Sequence, residues 1–286
     1  MALEAARAAR LEKDLERLRV LRPIDDGFMR CLFKDDLPLV QFVLRIIMQK
    51  PELVITRCVT QKDLKRLAGS RSLVLDVHAE EPDGTQYDIE IERSRGRAES
   101  RRVRYHLSAL DVECLGPQED FSRLPEVYVI FISEQDVFGD GRPLHRIERV
   151  DADTGSPFGD GTHILYVNGA YRDDSDLGKL MHDFSCNDAG DMYLEPMAER
   201  TRFLKEDQKG VTEMCKVFED ILKEGREEGR AEGRAEGRAE GHAEGKELTL
   251  IASLKSIMEK FGYSAEQAMD VLDIPAGERG RLQVQL

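Results

Sequence analysis

Between residues 73 and 92 the chain reads LVLDVHAEEPDGTQYDIEIE, two runs alternating with period two around a turn signal. That pattern predicts a β-hairpin. Leu73, Leu75, Val77 and Ala79 fall on one face of the first run, with Val74, Asp76, His78 and Glu80 on the other. In the second run Tyr87, Ile89 and Ile91 oppose Asp88, Glu90 and Glu92. Pro82-Asp83-Gly84 suits a three-residue loop, a type I turn followed by a left-handed glycine. This loop sets Glu81 opposite Thr85, Val77 opposite Ile89 and Asp76 opposite Glu90. A two-residue Asp-Gly loop would pair Asp76 with Ile91 and mix the faces, so the longer turn is the consistent one.

Elsewhere the period is mostly helical. Residues 3 to 20 predict an exposed helix with Leu3, Leu11, Leu15 and Leu18 along one side. Asp25 or Asp26 then caps a short helix ending near Phe33, and Leu37 to Met48 forms a more apolar one. Val54 to Thr60 reads as a first strand and Gln61 to Ser70 as a connection. Arg97 to Leu115 is helical, with Val103, Leu107, Leu110 and Cys114 as its buried stripe. Glu126 to Ile132 is apolar enough for a central strand. Two Phe-Gly-Asp-Gly turns (138–141 and 158–161) precede possible strands at Pro143 to Val150 and His163 to Asn168, and Asp176 to Phe184 is a short helix. Residues 193 to 223 continue as helix.

Gly225, Gly229, Gly233, Gly237, Gly241 and Gly245 recur every fourth residue. Each glycine costs a helix about 1 kcal/mol relative to Ala. A four-residue period also drifts about 40° per repeat around the axis, so it holds no single seam. A weak helix or a charged spacer is expected. Leu248 to Phe261 is amphipathic, and Ser264 with Gln267 forms a capping box opening a helix through Leu272. This terminal unit is too small to stand alone, so its apolar stripe suggests a homo-oligomer.

The chain has 286 residues, 41% hydrophobic and 34% charged, with a net charge of −14. No run is long and apolar enough for a membrane span, and the first residues lack the apolar core of a secretory signal. Five scattered cysteines without a Cys-x-x-Cys favour free thiols and a cytoplasmic setting.

Charge alters the picture locally. Asp76, Glu90 and Glu92, with Asp88 and Glu80 nearby, gather carboxylates on one hairpin face. Hard oxygen donors with room for water suit Mg²⁺; a solvated polar face is the plainer alternative. The next segment, residues 93–104, holds six Arg against one Glu. Acidic ligands followed by guanidinium groups describe a phosphodiester site.

Asp76 followed by Glu90-Ile91-Glu92 resembles the D…(D/E)-x-K signature of PD-(D/E)XK nucleases. Asp88-Ile89-Glu90-Ile91-Glu92 is similar to the D-I-E-[IM]-Q of the Rpn family of recombination-promoting nucleases, also called PD-(D/E)XK nuclease family transposases. Arg22 to Asp26, Arg101 to Tyr105, Val129 to Ile132 and Met181 to Cys186 extend the likeness over residues 20 to 205. The resemblance implies an α/β restriction-endonuclease-like core, a mixed sheet flanked by helices, with a helical C-terminal extension. With the residue patterns above, it divides the chain into an N-terminal helix over 1–21, the nuclease-like domain over 22–205, the glycine-repeat spacer over 206–247 and a terminal helical segment over 248–286.

The implied activity is endonucleolytic cleavage of DNA with Mg²⁺ or Mn²⁺. Asp76, Glu90 and the Ile91 carbonyl would hold the ion, with Glu92 as a third catalytic acid. Arg93, Arg95, Arg97, Arg101, Arg102, Arg104 and Tyr105 would contact the nucleic acid. The family also carries an acid matched by Asp26, for which an N-cap is the plainer role here. His78 is the histidine to watch as a proton shuttle. Glu92 departs from the Lys of the superfamily and the Gln of the Rpn family, so a DNA-binding or self-assembling protein that has lost catalysis is the alternative. The family name implies recombination or transposition, although the chain shows no transposase DDE triad.

Overall fold

Gly84 adopts φ +93°, its N–H donates to the Glu81 carbonyl at 3.1 Å, and Glu81 N–H donates to Thr85 O at 2.9 Å. The left-handed glycine therefore closes the three-residue turn, and with it the register: Val77 pairs with Ile89, His78 with Asp88, Ala79 with Tyr87 and Glu80 with Gln86. These features come from a computed structural model that describes residue 16 and residues 18–64, 73–93 and 99–286. Most of the expected N-terminal helix, the connection beyond Leu64, and Arg95 and Arg97 lie outside the described residues.

An L side chain in the left-handed region costs about 1–2 kcal/mol. Gly84→Ala is therefore expected to lower unfolding free energy by that amount in a denaturant titration. An unchanged midpoint would show that the turn does not set the register.

Helices α1 (Asp26–Phe33) and α2 (Leu37–Met48) lie ahead of the sheet in the chain. The strands are β1 (Arg57–Leu64), β2 (Leu73–Glu80), β3 (Gln86–Glu92), β4 (Val127–Ser133), β5 (Leu144–Ile147) and β6 (Thr162–Asn168), in the order β1-β2-β3-β4-β6-β5. β3, β4 and β6 run parallel; the remaining pairs are antiparallel. Helix α3 (Ser100–Cys114) joins β3 to β4, as a parallel crossover requires. Val103, Leu107 and Leu110 of α3 pack on Leu75, Val127, Val129 and Phe131. The opposite face, carrying Val77, Ala79, Tyr87, Ile89, Ile130 and Ile132, is covered by α1, α2 and the later helices α4 (Asp176–Ser185) and α5 (Glu195–Glu206). The result is the mixed, doubly covered sheet of a restriction-endonuclease-like α/β fold.

Three local expectations are corrected. The first strand runs from Arg57 to Leu64, because the Ile55 and Thr56 N–H groups go to the Gln41 side chain and Glu80 O, while buried Leu64 anchors the far end. Leu75 does not share a face with Val77: Leu75 lies under α3, and Val77 and Ala79 lie in the other layer. The change of face coincides with Gln61, at φ +54°, where the β1–β2 ladder skips the Gln61–Asp76 step. The cap of α1 is Asp25, without a side-chain capping bond, and Asp26 is the first helical residue. All five cysteines are free thiols.

One compact unit ends at Glu219 and a second begins at Asp220. A single helix, α6 (Gln208–Phe261), includes the glycine repeat. Among the described residues a methyl group at Gly225, Gly229, Gly233, Gly237, Gly241 or Gly245 would meet nothing within 4 Å. In the second unit Ile251 and Leu254 are buried with Ala268 and Met269 of α7 (Ala265–Val271), Ile274, and Leu282 of α8 (Ala276–Gln283). The capping box at Ser264 forms; α8 was not expected. The apolar stripe offered for self-association is thus largely covered within its own unit. Among the described residues no helix is long and apolar enough to cross a membrane.

Candidate active site

β3 lies between β2 and β4, so every residue of it is covered on one face or the other. Tyr87 and Ile89 take the α1–α2 side, and Asp88, Glu90 and Glu92 face α3. All three acids are buried, with Asp88 at 0% exposure and Glu90 at 1%. Past the Val77–Ile89 pair the β2–β3 ladder opens, and two carboxylates replace backbone partners. Asp76 N–H donates to Glu90 Oε1 at 3.1 Å, and Ile91 N–H donates to Asp76 Oδ2 at 3.1 Å. A strand residue presents N–H and C=O on the same side, so the Ile91 carbonyl also points into this gap. Asp76, Glu90 and the Ile91 carbonyl therefore converge where the strands part. Half-buried Asp76 is the member of the trio's acids nearest to solvent.

Helix α3 completes the cluster through Arg102 and His106, one turn apart. The Arg102 guanidinium bonds Glu90 Oε2 at 2.9 Å and Glu92 Oε2 at 3.0 Å. His106, with no exposed surface, lies 2.9 Å from Asp88 Oδ2 through Nδ1 and 3.8 Å from Glu90 Oε1. Its Nε2 stands 3.4 Å from Arg102 Nε, an N–H donor, which assigns the imidazole proton to Nδ1 and makes Asp88 the acceptor. His106 was missed in the sequence. It occupies the buried stripe between Val103 and Leu110, and that spacing was the signal.

Three acids in this small volume hold one another's protons. Burial, and then the charge of Asp76, pushes the Asp88 carboxyl up to about 8. Glu90 is raised by burial and by Asp88 and Asp76, and Asp76 by burial and the charge of Asp26 on α1. Asp88 Oδ1 is buried with no hydrogen-bond donor. Buried like charges of this kind need a shared proton or a cation between them. The carboxylate oxygens therefore fit a hard divalent ion; His106, grouped with Asp88 and Glu90 within 4.8 Å, has both ring nitrogens engaged and supports Asp88 instead of ligating.

A pH dependence follows. From the ordinary carboxylate range up to about 8, folded Asp88 retains a proton that the unfolded chain releases. Its contribution is complete at low pH and is lost as pH rises, by at most about 1.4 kcal/mol per unit for one proton. His78, lowered to about 4 by burial and Lys62, opposes this below its ordinary value. In EDTA the thermal midpoint is expected to fall between pH 6.5 and 8, and a divalent cation should restore it most at pH 8, where the proton competes least. Calorimetry in EDTA showing a flat or rising midpoint over that range would contradict the shared-proton arrangement.

The other expected residues divide. Arg102 is spent on Glu90 and Glu92 instead of standing free for a phosphate. Arg93 pairs with Asp25 at 3.0 Å and lies 3.4 Å from Glu134, joining Arg22 in a network at the ends of β3 and β4. Arg101, Arg104 and Tyr105 lie on the exposed side of α3. His78 stands between Lys62 and Gln86, at 3.3 and 3.1 Å, and Glu80 lies on the turn side of it, so neither joins the cluster. Asp26 is exposed, pairs with Arg30 at 3.4 Å and acts on Asp76 through its charge.

No curated protein and no solved structure matches the chain. The family model described as PD-(D/E)XK nuclease family transposase matches residues 35–170, which run from the turn before α2 through β6 and include Asp76, Glu90, Arg102 and His106. The segment carrying this sheet and its acidic cluster is thus similar to the PD-(D/E)XK nuclease family transposases.

Proposed function

We propose that the domain is a Mg²⁺- or Mn²⁺-dependent DNA endonuclease of the Rpn type, with the ion held by Asp76, Glu90 and the Ile91 carbonyl. The observation that carries this reading is the opened β2–β3 ladder, where each acid bonds the backbone of the opposite strand over a buried Asp88–His106 pair. When bound, the ion supplies Lewis acidity toward the scissile phosphate and offsets the charge that builds there. Asp76 and Glu90 are held ready by the backbone N–H groups, so ion binding needs little rearrangement. His106 fixes Asp88 beneath Glu90. Arg102 addresses the departure at Glu92: its guanidinium bonds both Glu90 and Glu92, returning to the site the positive charge that a Lys at position 92 would bring. Exposed Arg101 and Arg104 contact phosphates, which orients the duplex without reading its sequence.

The test is supercoiled plasmid incubated with the purified full chain in Mg²⁺ or in EDTA. Nicking in Mg²⁺ that stops in EDTA is expected; intact plasmid under both conditions contradicts the proposal. A second reading, DNA binding without cleavage, is favoured by the same Arg102 contacts, which occupy two of the acids. It predicts binding that weakens with salt at a log–log slope of about −0.9 per phosphate contact and does not change with Mg²⁺.

A further inference from the structure

Apart from the acidic cluster, the described residues bring together one other group of metal-ligating side chains: His182, Asp183 and Cys186 at the C-terminal end of α4. Cys186 is the C-cap, with extended backbone, and its thiol turns back to lie 3.4 Å from His182 Nδ1. Asp183 Oδ1 lies 3.2 Å from the same nitrogen. A proton relay would place the carboxylate and the thiol on opposite ring nitrogens. Here the carboxylate approaches Nδ1 while the thiol lies 3.4 Å from Nδ1 and 3.8 Å from Nε2, so the two do not take separate nitrogens as a relay requires. Three donor atoms converging on a point are what a cation organises.

The spacing agrees. With zinc bond lengths of about 2.3 Å to sulfur and 2.0–2.2 Å to nitrogen and oxygen, tetrahedral ligands stand about 3.5 Å (S to N) and about 3.4 Å (N to O) apart. The Asp191 carbonyl, 3.9 Å from Sγ, is near enough to be a fourth donor. Fully buried Asp183 is fixed by the Tyr193 and Leu194 N–H groups at 2.9 and 2.8 Å, the outer-shell support that orients a ligating carboxylate. His182 and Cys186 are half-buried, so an ion has access. The helix C-terminus adds its partial negative charge.

We propose that His182, Asp183 and Cys186 form a binding site for a thiolate-preferring divalent metal, Zn²⁺ being the natural occupant, which staples the end of α4 to the turn leading into α5. A sulfur donor separates this site from the all-oxygen gap at Asp76 and Glu90, which suits Mg²⁺. The proposal does not depend on the nuclease reading.

The test is Co²⁺ and Zn²⁺ titration of the reduced full chain. One Co²⁺ per chain should give a thiolate-to-cobalt charge-transfer band that Zn²⁺ displaces and excess Mg²⁺ does not. Cys186→Ser and His182→Ala should each weaken Zn²⁺ binding at least roughly tenfold, the lower end for lost metal-site support, and Cys186→Ser should remove the band. Cys58→Ser, on β1, should leave both unchanged. Absence of the band in the parent chain, or a band that survives Cys186→Ser, overturns the assignment.

Discussion

Asp76→Asn is expected to reduce Mg²⁺-dependent nicking on the order of 10³-fold or more. The substitution removes the charge but keeps an oxygen able to accept from Ile91 N–H, so the strand gap survives. What is lost is the site's hold on the ion. An effect of several kcal/mol on the barrier corresponds to about tenfold in rate for each 1.36 kcal/mol. Initial rates of plasmid conversion at saturating Mg²⁺ measure it. A rate within a few-fold of the parent would remove Asp76 from the catalytic set. Asp76 is a cleaner probe than Glu90, since Glu90→Gln also disturbs the contact with Arg102.

The second large effect is on stability. His106→Ala removes the donor to Asp88 Oδ2, leaving a carboxyl with no exposed surface whose neighbours are the acids Glu90 and Asp76. Leaving a buried polar group without its hydrogen-bond partner costs about 1–3 kcal/mol. A loss near that value is expected by urea unfolding at pH 7 in EDTA. The cost belongs to the orphaned acid more than to the missing ring, so Asp88→Asn in the same chain should return a large part of it. A double-mutant cycle reads that coupling directly. Additive losses would mean that the 2.9 Å contact carries no energy.

Much of this arrangement was legible in the chain because a hairpin's register follows from its turn. Pro82-Asp83-Gly84 allowed one self-consistent pairing, and the apolar alternation around it placed Asp88, Glu90 and Glu92 on one face. The phase change at Asp76 was not legible. It accompanies a left-handed Gln61 on a neighbouring strand, a conformation that Gln does not announce. Arg102 and His106 show a different limit. Helical spacing put both next to the buried stripe, yet composition alone made the arginines look like one DNA-contacting segment. Only the register of β3 against α3 shows that Arg102 serves Glu90 and Glu92 while Arg101 and Arg104 face outward. The terminal helix α8, with two glycines in eight residues, carried too weak a local preference to be expected; Leu282 packing on the α6–α7 pair holds it.

The account stands or falls on whether a divalent ion occupies the gap between β2 and β3. Mn²⁺ is the direct probe, since its electron paramagnetic resonance signal distinguishes free from bound ion. With His182→Ala/Cys186→Ser as the background chain, one Mn²⁺ per chain is expected, displaced by Mg²⁺ and lost in both Asp76→Asn and Glu90→Gln. Binding of equal strength in all three chains would place the ion elsewhere, and the opened ladder would then be a feature of packing alone.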